Sequence, residues 1–246
     1  MTLQSLPEGY RAVVFGASGG LGSAFVRALC SDKRCAEVYA GSRREIHVAS
    51  DKVRGFRFDL EDEESIVAGV KRCAQHGALH LIVVATGMLH ADSIKPEKTW
   101  RSITPLSLHS AFSINTIGPA LIAKHILSHM AKSEKAVFAA LSARVGSIAD
   151  NRRGGWHAYR ASKAALNMLI RTLAIELALT NKGAICAGLH PGTVDTALSN
   201  PFLGGSNPLQ VFSAEQSVER LLRVIDHLSP TETGRLFAWD GSEIPF

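Results

Sequence analysis

A doubly wound α/β fold, built on a seven-stranded parallel sheet with helices on both faces, is what this sequence predicts. Strand-length apolar runs alternate with stretches of helical periodicity along the whole chain. The runs are continuously apolar rather than alternating, as strands covered on both faces are, and the first leads straight into a glycine-rich turn and a helix. They fall at 11–16, 37–42, 53–58, 79–85, 136–142, 184–190 and 235–239. Between them, two long helical segments stand out, 105–132 and 158–180. The second is apolar almost all round, through Ala161, Ala164, Leu166, Met168, Leu169, Leu173 and Leu177, so it needs cover on two sides. It is either wholly internal, or packed on the sheet by one face and on a partner subunit by the other.

With 246 residues, 46% of them hydrophobic, the chain can bury one large core, and 1–246 is expected to form a single domain. Its 27 basic and 22 acidic residues are interspersed, and the net charge of +5 fits a small phosphate-bearing ligand. Nucleic acid is not expected, since no basic stripe is interleaved with aromatics. Cys30, Cys35, Cys73 and Cys186 form no CxxC pair, and His125 and His129 have no acidic partner on their helix, so neither a metal site nor a disulfide framework is indicated. The start MTLQSLPEGY lacks a basic stretch followed by an apolar one, and no apolar run approaches the ~20 residues that span a bilayer. A cytoplasmic protein with no membrane association is expected.

The first strand runs into Gly16, Ala17, Ser18, Gly19, Gly20, Leu21 and Gly22, with a helix starting near Leu21. Glycines at such a turn let the backbone approach a pyrophosphate at a helix N-terminus, which makes these residues a dinucleotide site. About twenty residues on, where an acidic side chain would hold a ribose 2′-hydroxyl, stand Ser42, Arg43 and Arg44. A guanidinium attracts a 2′-phosphate that a carboxylate would repel, so NADP(H) is the expected cofactor, with Ser42 and Arg43 as contacts. Asp59 and Leu60, and Ala85, Thr86 and Gly87, end the third and fourth strands, where ligands bind in open α/β sheets. Asp59 serves equally well as the N-cap of the helix that follows.

Tyr159 and Lys163 are four apart near the start of a helix, hence on one face and one turn apart. A free phenol, with a pKa of about 10, exchanges protons poorly at neutral pH, and a neighbouring ammonium stabilises its anion. The pair is a candidate acid/base couple.

The glycine turn, Asn115, the strand end at Ser142, Tyr159 with Lys163, and His190-Pro191-Gly192-Thr193 resemble, in order and spacing, the short-chain dehydrogenase/reductase family. The stretch from Ala143 through Gly155 and Trp156 to Met168 is similar to the subgroup of C-factor cell-signalling proteins and sniffer-type carbonyl reductases. The resemblance implies a Rossmann-like domain that moves hydride between NADP(H) and a carbonyl or alcohol substrate, as a homodimer or homotetramer. It makes Tyr159 the acid/base. Lys163 would hold the nicotinamide ribose and lower the Tyr159 pKa, and Asn115 would hold a relay water. Pro191, Gly192, Thr193 and Val194 would face the nicotinamide, with Thr196 on its phosphate side.

Two departures stand out. The family's serine three residues before a glycine is here Ala143, counted back from Gly146, with Ser142 one place early. Strand alternation turns Ser142 away, so a bulge re-aims it, Ser147 substitutes, or the donor is missing. Val84-Ala85-Thr86-Gly87 also replaces the usual Asn-Asn-Ala-Gly. Two functions follow: a carbonyl reductase, favoured by Tyr159, Lys163 and Asn115, or a dinucleotide-binding signalling protein with little turnover, favoured by Ala143. The loop 196–212, with Leu198, Phe202, Leu203 and Leu209 around Gly204 and Gly205, is expected to be an apolar lid over an apolar substrate, with Met88, Leu89 and Trp156 beside it.

Overall fold

The order of strands across the main sheet of the computed structural model explains where a ligand can enter. Residues 2–44, 46, 50–91, 93–202 and 210–246 are described. Strands β1 (Tyr10–Phe15), β2 (Cys35–Ser42), β3 (Val53–Arg57), β4 (Leu81–Val84), β5 (Ala136–Leu141), β6 (Ala184–His190), β9 (Arg235–Ala238) and β10 (Glu243–Ile244) form this sheet. The order is β10-β9-β6-β5-β4-β1-β2-β3, parallel throughout except for β9 with β10. The chain builds outward from β1 in one direction, then returns to build from β4 in the other. The reversal leaves a crevice at the carboxyl ends of β1 and β4, where open α/β sheets bind ligands.

Side chains of each strand alternate between two cores. Ala12 and Val14 of β1 pack with Phe25 and Leu29 of α1 (Gly20–Ser31) and Leu221 and Ile225 of α6 (Ala214–His227). Val13 and Phe15 pack on the opposite face with Ile66 of α2 (Glu63–Ala74), Ile122 of α4 (Gly118–Ile126) and Leu166 and Ile170 of α5 (His157–Thr180). Both faces are covered, which is why the strands read as unbroken apolar runs.

Three local expectations are corrected. The sheet has eight strands, not seven, because β10 folds back through a turn at Asp240-Gly241 and, at two residues, is too short to leave a periodic signal. Another two-stranded sheet, β7 (Thr193–Val194) with β8 (Val211–Phe212), brackets the loop between them. The segment read as one helix over 105–132 is instead α3 (Pro105–Phe112), a π-helical turn (Ser113–Ile117), α4 and a short 3-10 turn. Pro119 has no N–H to offer the carbonyl of Asn115 four residues back, and the Gly118 amide bonds Ser113 instead.

α5 buries Leu166, Ile170 and Ala174 against the sheet and exposes Met168, Ile175 and Leu179 on its other side. Among the described residues no helix is long and apolar enough to cross a membrane.

Asp62, rather than Asp59, caps α2, accepting from the Glu64 and Ser65 amides at 3.1 and 3.2 Å. Asp59 makes a tight turn of its own with the Glu61 amide. Asp62→Ala is expected to lower the stability of the protein by about 1 kcal/mol in urea unfolding, and Asp59→Ala by clearly less.

Candidate active site

At the carboxyl ends of the central strands lie two adjoining cavities of about 520 and 430 Å³, both bordered by Gly19, Ala85, Gly87, Leu89, Ala197 and Leu198. The first takes in Gly16, Ser18, Ser42, Arg43, Asp59, Leu60 and Thr86. The second takes in Gly20, Leu21, Ser142, Ala143, Tyr159, His190, Pro191, Gly192, Thr193, Val194 and Thr196. The two sets of expected residues are thus joined in one cleft with Tyr159 at one end and Arg43 at the other.

α1 begins at Gly20, and its N-cap Gly19 provides no side-chain cap. Gly22 does not reach the cleft. A Cβ there would sit 2.1 Å from the Gly16 carbonyl oxygen, so this glycine is required by backbone packing. The Thr86 hydroxyl is buried in the cleft wall and has no hydrogen-bond partner among the described residues.

Tyr159 sits in the first turn of α5 and Lys163 one turn later. Lys163 Nζ lies 5.9 Å from the Tyr159 ring centre and donates to the Leu141 carbonyl at 2.7 Å. The 3-10 turn Arg144–Gly146 presses on this residue so closely that a Cβ on Gly146 would be 2.7 Å from that of Lys163. Burial pulls the Lys163 ammonium down to about 7 and pushes the Tyr159 phenol up to about 12.

Asn115 is fully buried behind the cleft. Its Oδ1 accepts from the Met88 amide and its Nδ2 donates to the Met88 carbonyl, both at 2.8 Å, while Nδ2 also donates to Ser162 Oγ at 3.0 Å. Its side chain therefore ties the segment just after β4 to α5.

Ser142 has its hydroxyl turned away from Tyr159, donating to Asn167 Oδ1 on α5 at 2.6 Å. The β5–β6 ladder stays in register to Leu141 and Leu189, and the Ser142 amide continues it by donating to the Leu189 carbonyl. No bulge re-aims the residue. Ser147 is buried and accepts from the Asp150 amide. The hydroxyls of Ser142 and Ser147 are thus engaged by Asn167 and the Asp150 amide, and Ala143 lines the second cavity with its alkyl side chain.

The second cavity is walled in part by Leu89, Val145, Trp156, Leu198 and Phe202, and Met88 lines the first. Trp156 and Phe202 meet edge to face with ring centres 5.4 Å apart. Leu203, Gly204, Gly205 and Leu209 lie outside the described residues. His190, Arg144 and Ala197 were not singled out as site residues, although the position of His190 at the carboxyl end of β6 was the available signal. Thr196 packs over Gly20 and bonds Ser199. His125 pairs at 2.7 Å with Glu63 from α2, an acidic partner that its own helix does not carry.

Residues 11–203 match the family model of the short chain dehydrogenases. The chain belongs to this family. Among curated relatives, C-signal of Myxococcus xanthus is 37% identical over 135 residues, covering 55% of this chain and 76% of that protein. The 1-hydroxy-2-glutathionyl-2-methyl-3-butene dehydrogenase of Rhodococcus sp. (strain AD45) is 30% identical over 185 residues, covering 75% of this chain and 76% of its own. The NADPH-bound carbonyl reductase from chicken fatty liver shares the fold at a TM-score of 0.83 and 23% identity, over 99% of this chain and 97% of that one. Carbonyl reductase Sniffer of D. melanogaster follows at 0.81 and 21%, over 97% and 99%. The expected likeness to the C-factor proteins is met in sequence by C-signal, and that to the sniffer carbonyl reductases is met in fold.

His190 carries the clearest pH signature of this short-chain dehydrogenase. Burial, with Arg144 nearby, lowers its pKa from the usual 6.5 to about 4, and its Nδ1 has no partner among the described residues. Between these values the unfolded chain binds a proton that the folded one refuses, so stability present above pH 6.5 is lost as the pH falls towards 4. The urea midpoint is expected to drop across that window, and His190→Gln to drop less.

Proposed function

We propose that the whole chain, 1–246, acts as one NADP(H)-binding domain that interconverts a carbonyl and an alcohol, as a carbonyl reductase does. The observation that carries this reading is the union, in one cleft, of Tyr159 beside Lys163 with an uncapped helix N-terminus and Arg43. These residues fit a dinucleotide. Gly19, Gly20 and the α1 amides would hold its pyrophosphate, Thr86 would gain the partner it lacks, and Ser42 and Arg43 would meet the 2′-phosphate. Asp59 and Leu60 would border the adenine. Ala85 and Gly87 line the path between, and Pro191, Gly192, Thr193, Val194 and Thr196 would flank the nicotinamide. When bound, the cofactor supplies or accepts the hydride.

Tyr159 gives its proton to the carbonyl oxygen in reduction and takes one from the alcohol in oxidation. Its phenol is too weak an acid alone, and Lys163 makes the phenolate accessible by placing a positive charge beside it. An anionic ligand in the cleft favours the charged form of Lys163, against the burial that lowers its pKa. In reduction Lys163 then returns a proton to the Tyr159 phenolate and regains one from a water held by Asn115, and in oxidation the protons move the opposite way. Without a hydroxyl at position 143, the substrate oxygen depends on Tyr159 for its hydrogen bond. Loss of one such donor costs about 10²–10³ in turnover in other enzymes, which favours slow catalysis here.

The wall of Leu89, Val145, Trp156, Leu198 and Phe202 supports an apolar substrate. The exposed stripe of Met168, Ile175 and Leu179 supports a second copy of the chain as its cover, in a homodimer or homotetramer. Ala143, with the similarity to C-signal, favours one rival reading, a signalling protein that binds the dinucleotide and turns over little.

Titration with NADPH and NADH, followed by nicotinamide oxidation with apolar aldehydes, ketones and quinones, tests the proposal. NADPH is expected to bind more tightly, and Arg43→Ala to reduce that preference roughly tenfold or more. Tyr159→Phe is expected to lower kcat about 10²–10⁴-fold with NADPH affinity unchanged. A Tyr159→Phe protein with full biological activity would favour the signalling reading, and failure to bind either nucleotide would overturn both.

A further inference from the structure

The helix that carries Tyr159 and Lys163 starts without a cap of its own. Its N-cap residue, Trp156, is left-handed at φ 51° and makes no side-chain cap, and it follows Gly154 and Gly155 at φ 61° and 67°. A bulky residue persists in that region only where its surroundings impose it. Here one distant residue supplies the missing bonds. Glu97, in the loop between β4 and α3, accepts from the Trp156 amide through its main-chain oxygen at 2.5 Å. Its carboxylate accepts from the Ala158 amide at 3.2 Å and from Ser107 Oγ of α3 at 2.7 Å. The side chain is buried, with 4% of the residue exposed, and nothing in the proposed chemistry uses it.

We propose that Glu97 is a positioning residue for Tyr159, a cap delivered from outside the helix that sets where the first turn of α5 stands in the cleft. The inference rests on the acid/base role proposed for Tyr159. Tyr159 follows Ala158 directly, so the amide held by Glu97 is one residue from it. Tyr159 shares the lining of a small void of about 10 Å³ with Pro96, Glu97, Ser107 and Met88. Among the described residues no hydrogen bond reaches its hydroxyl. Lys163, one turn deeper, is fixed independently by the Leu141 carbonyl and by Gly146. Loss of the Glu97 anchor therefore moves Tyr159 relative to Lys163 rather than moving both together. Burial pushes the Glu97 carboxyl up, but bonds from Ser107 and the Ala158 amide, with His157 nearby, bring it below its usual value and keep it an acceptor. A carboxylate also suits the positive end of a helix.

Three full-length variants test this against wild type, in kcat, KM, NADPH affinity and amide hydrogen exchange over residues 156–163. Glu97→Leu removes the acceptors at similar size. It is expected to lower kcat by about 10–100-fold, the scale of a small misplacement of a reacting group, with NADPH affinity held. Exchange over the first turn should rise about tenfold or more, as a lost helix cap allows. Glu97→Gln is expected to restore kcat to within about threefold, since its oxygen can serve Ala158 while its amide donates to Ser107 Oγ. Should Glu97→Leu not fold, Ser107→Ala carries the test through a smaller loss of kcat at unchanged NADPH affinity. Wild-type kcat in Glu97→Leu, or in Ser107→Ala when that variant carries the test, would overturn the proposal. So would a parallel loss of kcat and NADPH affinity, or a Glu97→Gln as impaired as Glu97→Leu. If wild type turns over no substrate, the proposed function fails on its own, and the cap is judged by exchange alone: unchanged exchange in Glu97→Leu overturns it.

Discussion

The amide of Asn115 is the tie on which the cleft depends. It joins the backbone at Met88, just past β4, to Ser162 on α5, and it does so without access to water. A primary amide buried with no partner would cost about 1–3 kcal/mol for each group left unsatisfied, so helix, loop and strand end must keep their relative positions. The neighbouring Thr116 hydroxyl bonds the Ser162 carbonyl at 2.8 Å and reinforces the same junction. The π-helical turn that Pro119 imposes brings Asn115 to this point.

From that junction the chemistry is arranged by burial. Lys163 lies in surroundings that disfavour its charge and Tyr159 in surroundings that disfavour its anion. Both shifts run against the ionised pair, and an anion entering the cleft works in the opposite direction on Lys163. The alkyl wall around Tyr159, with Ala143 where a hydroxyl would serve, lowers the polarity of the site further.

The parallel sheet, the glycine turn, the arginine after β2 and the Tyr159–Lys163 pair were legible because each is a local pattern: an apolar run, a turn between strand and helix, or a spacing along one helix. Elements that depend on a few residues or on distant partners were not. β10 and the β7–β8 pair are two residues long in each strand, too short for periodicity to register. The π turn hides inside an otherwise helical stretch, and only Pro119 marks it. Asp59 and Asp62 compete for one cap, and backbone geometry chooses Asp62.

What the sequence determined by itself is the order of layers and the chemical types available at the carboxyl ends of the strands, since hydrophobic periodicity and turn chemistry act between near neighbours. The tertiary structure alone decided which of those groups meet. It committed Ser142 to Asn167 and Ser147 to Asp150, left Ala143 facing the cleft, and brought Glu97 to the start of α5. Hydrogen bonds between residues far apart in the chain carry no spacing rule, and they form only after the sheet and its helices have packed.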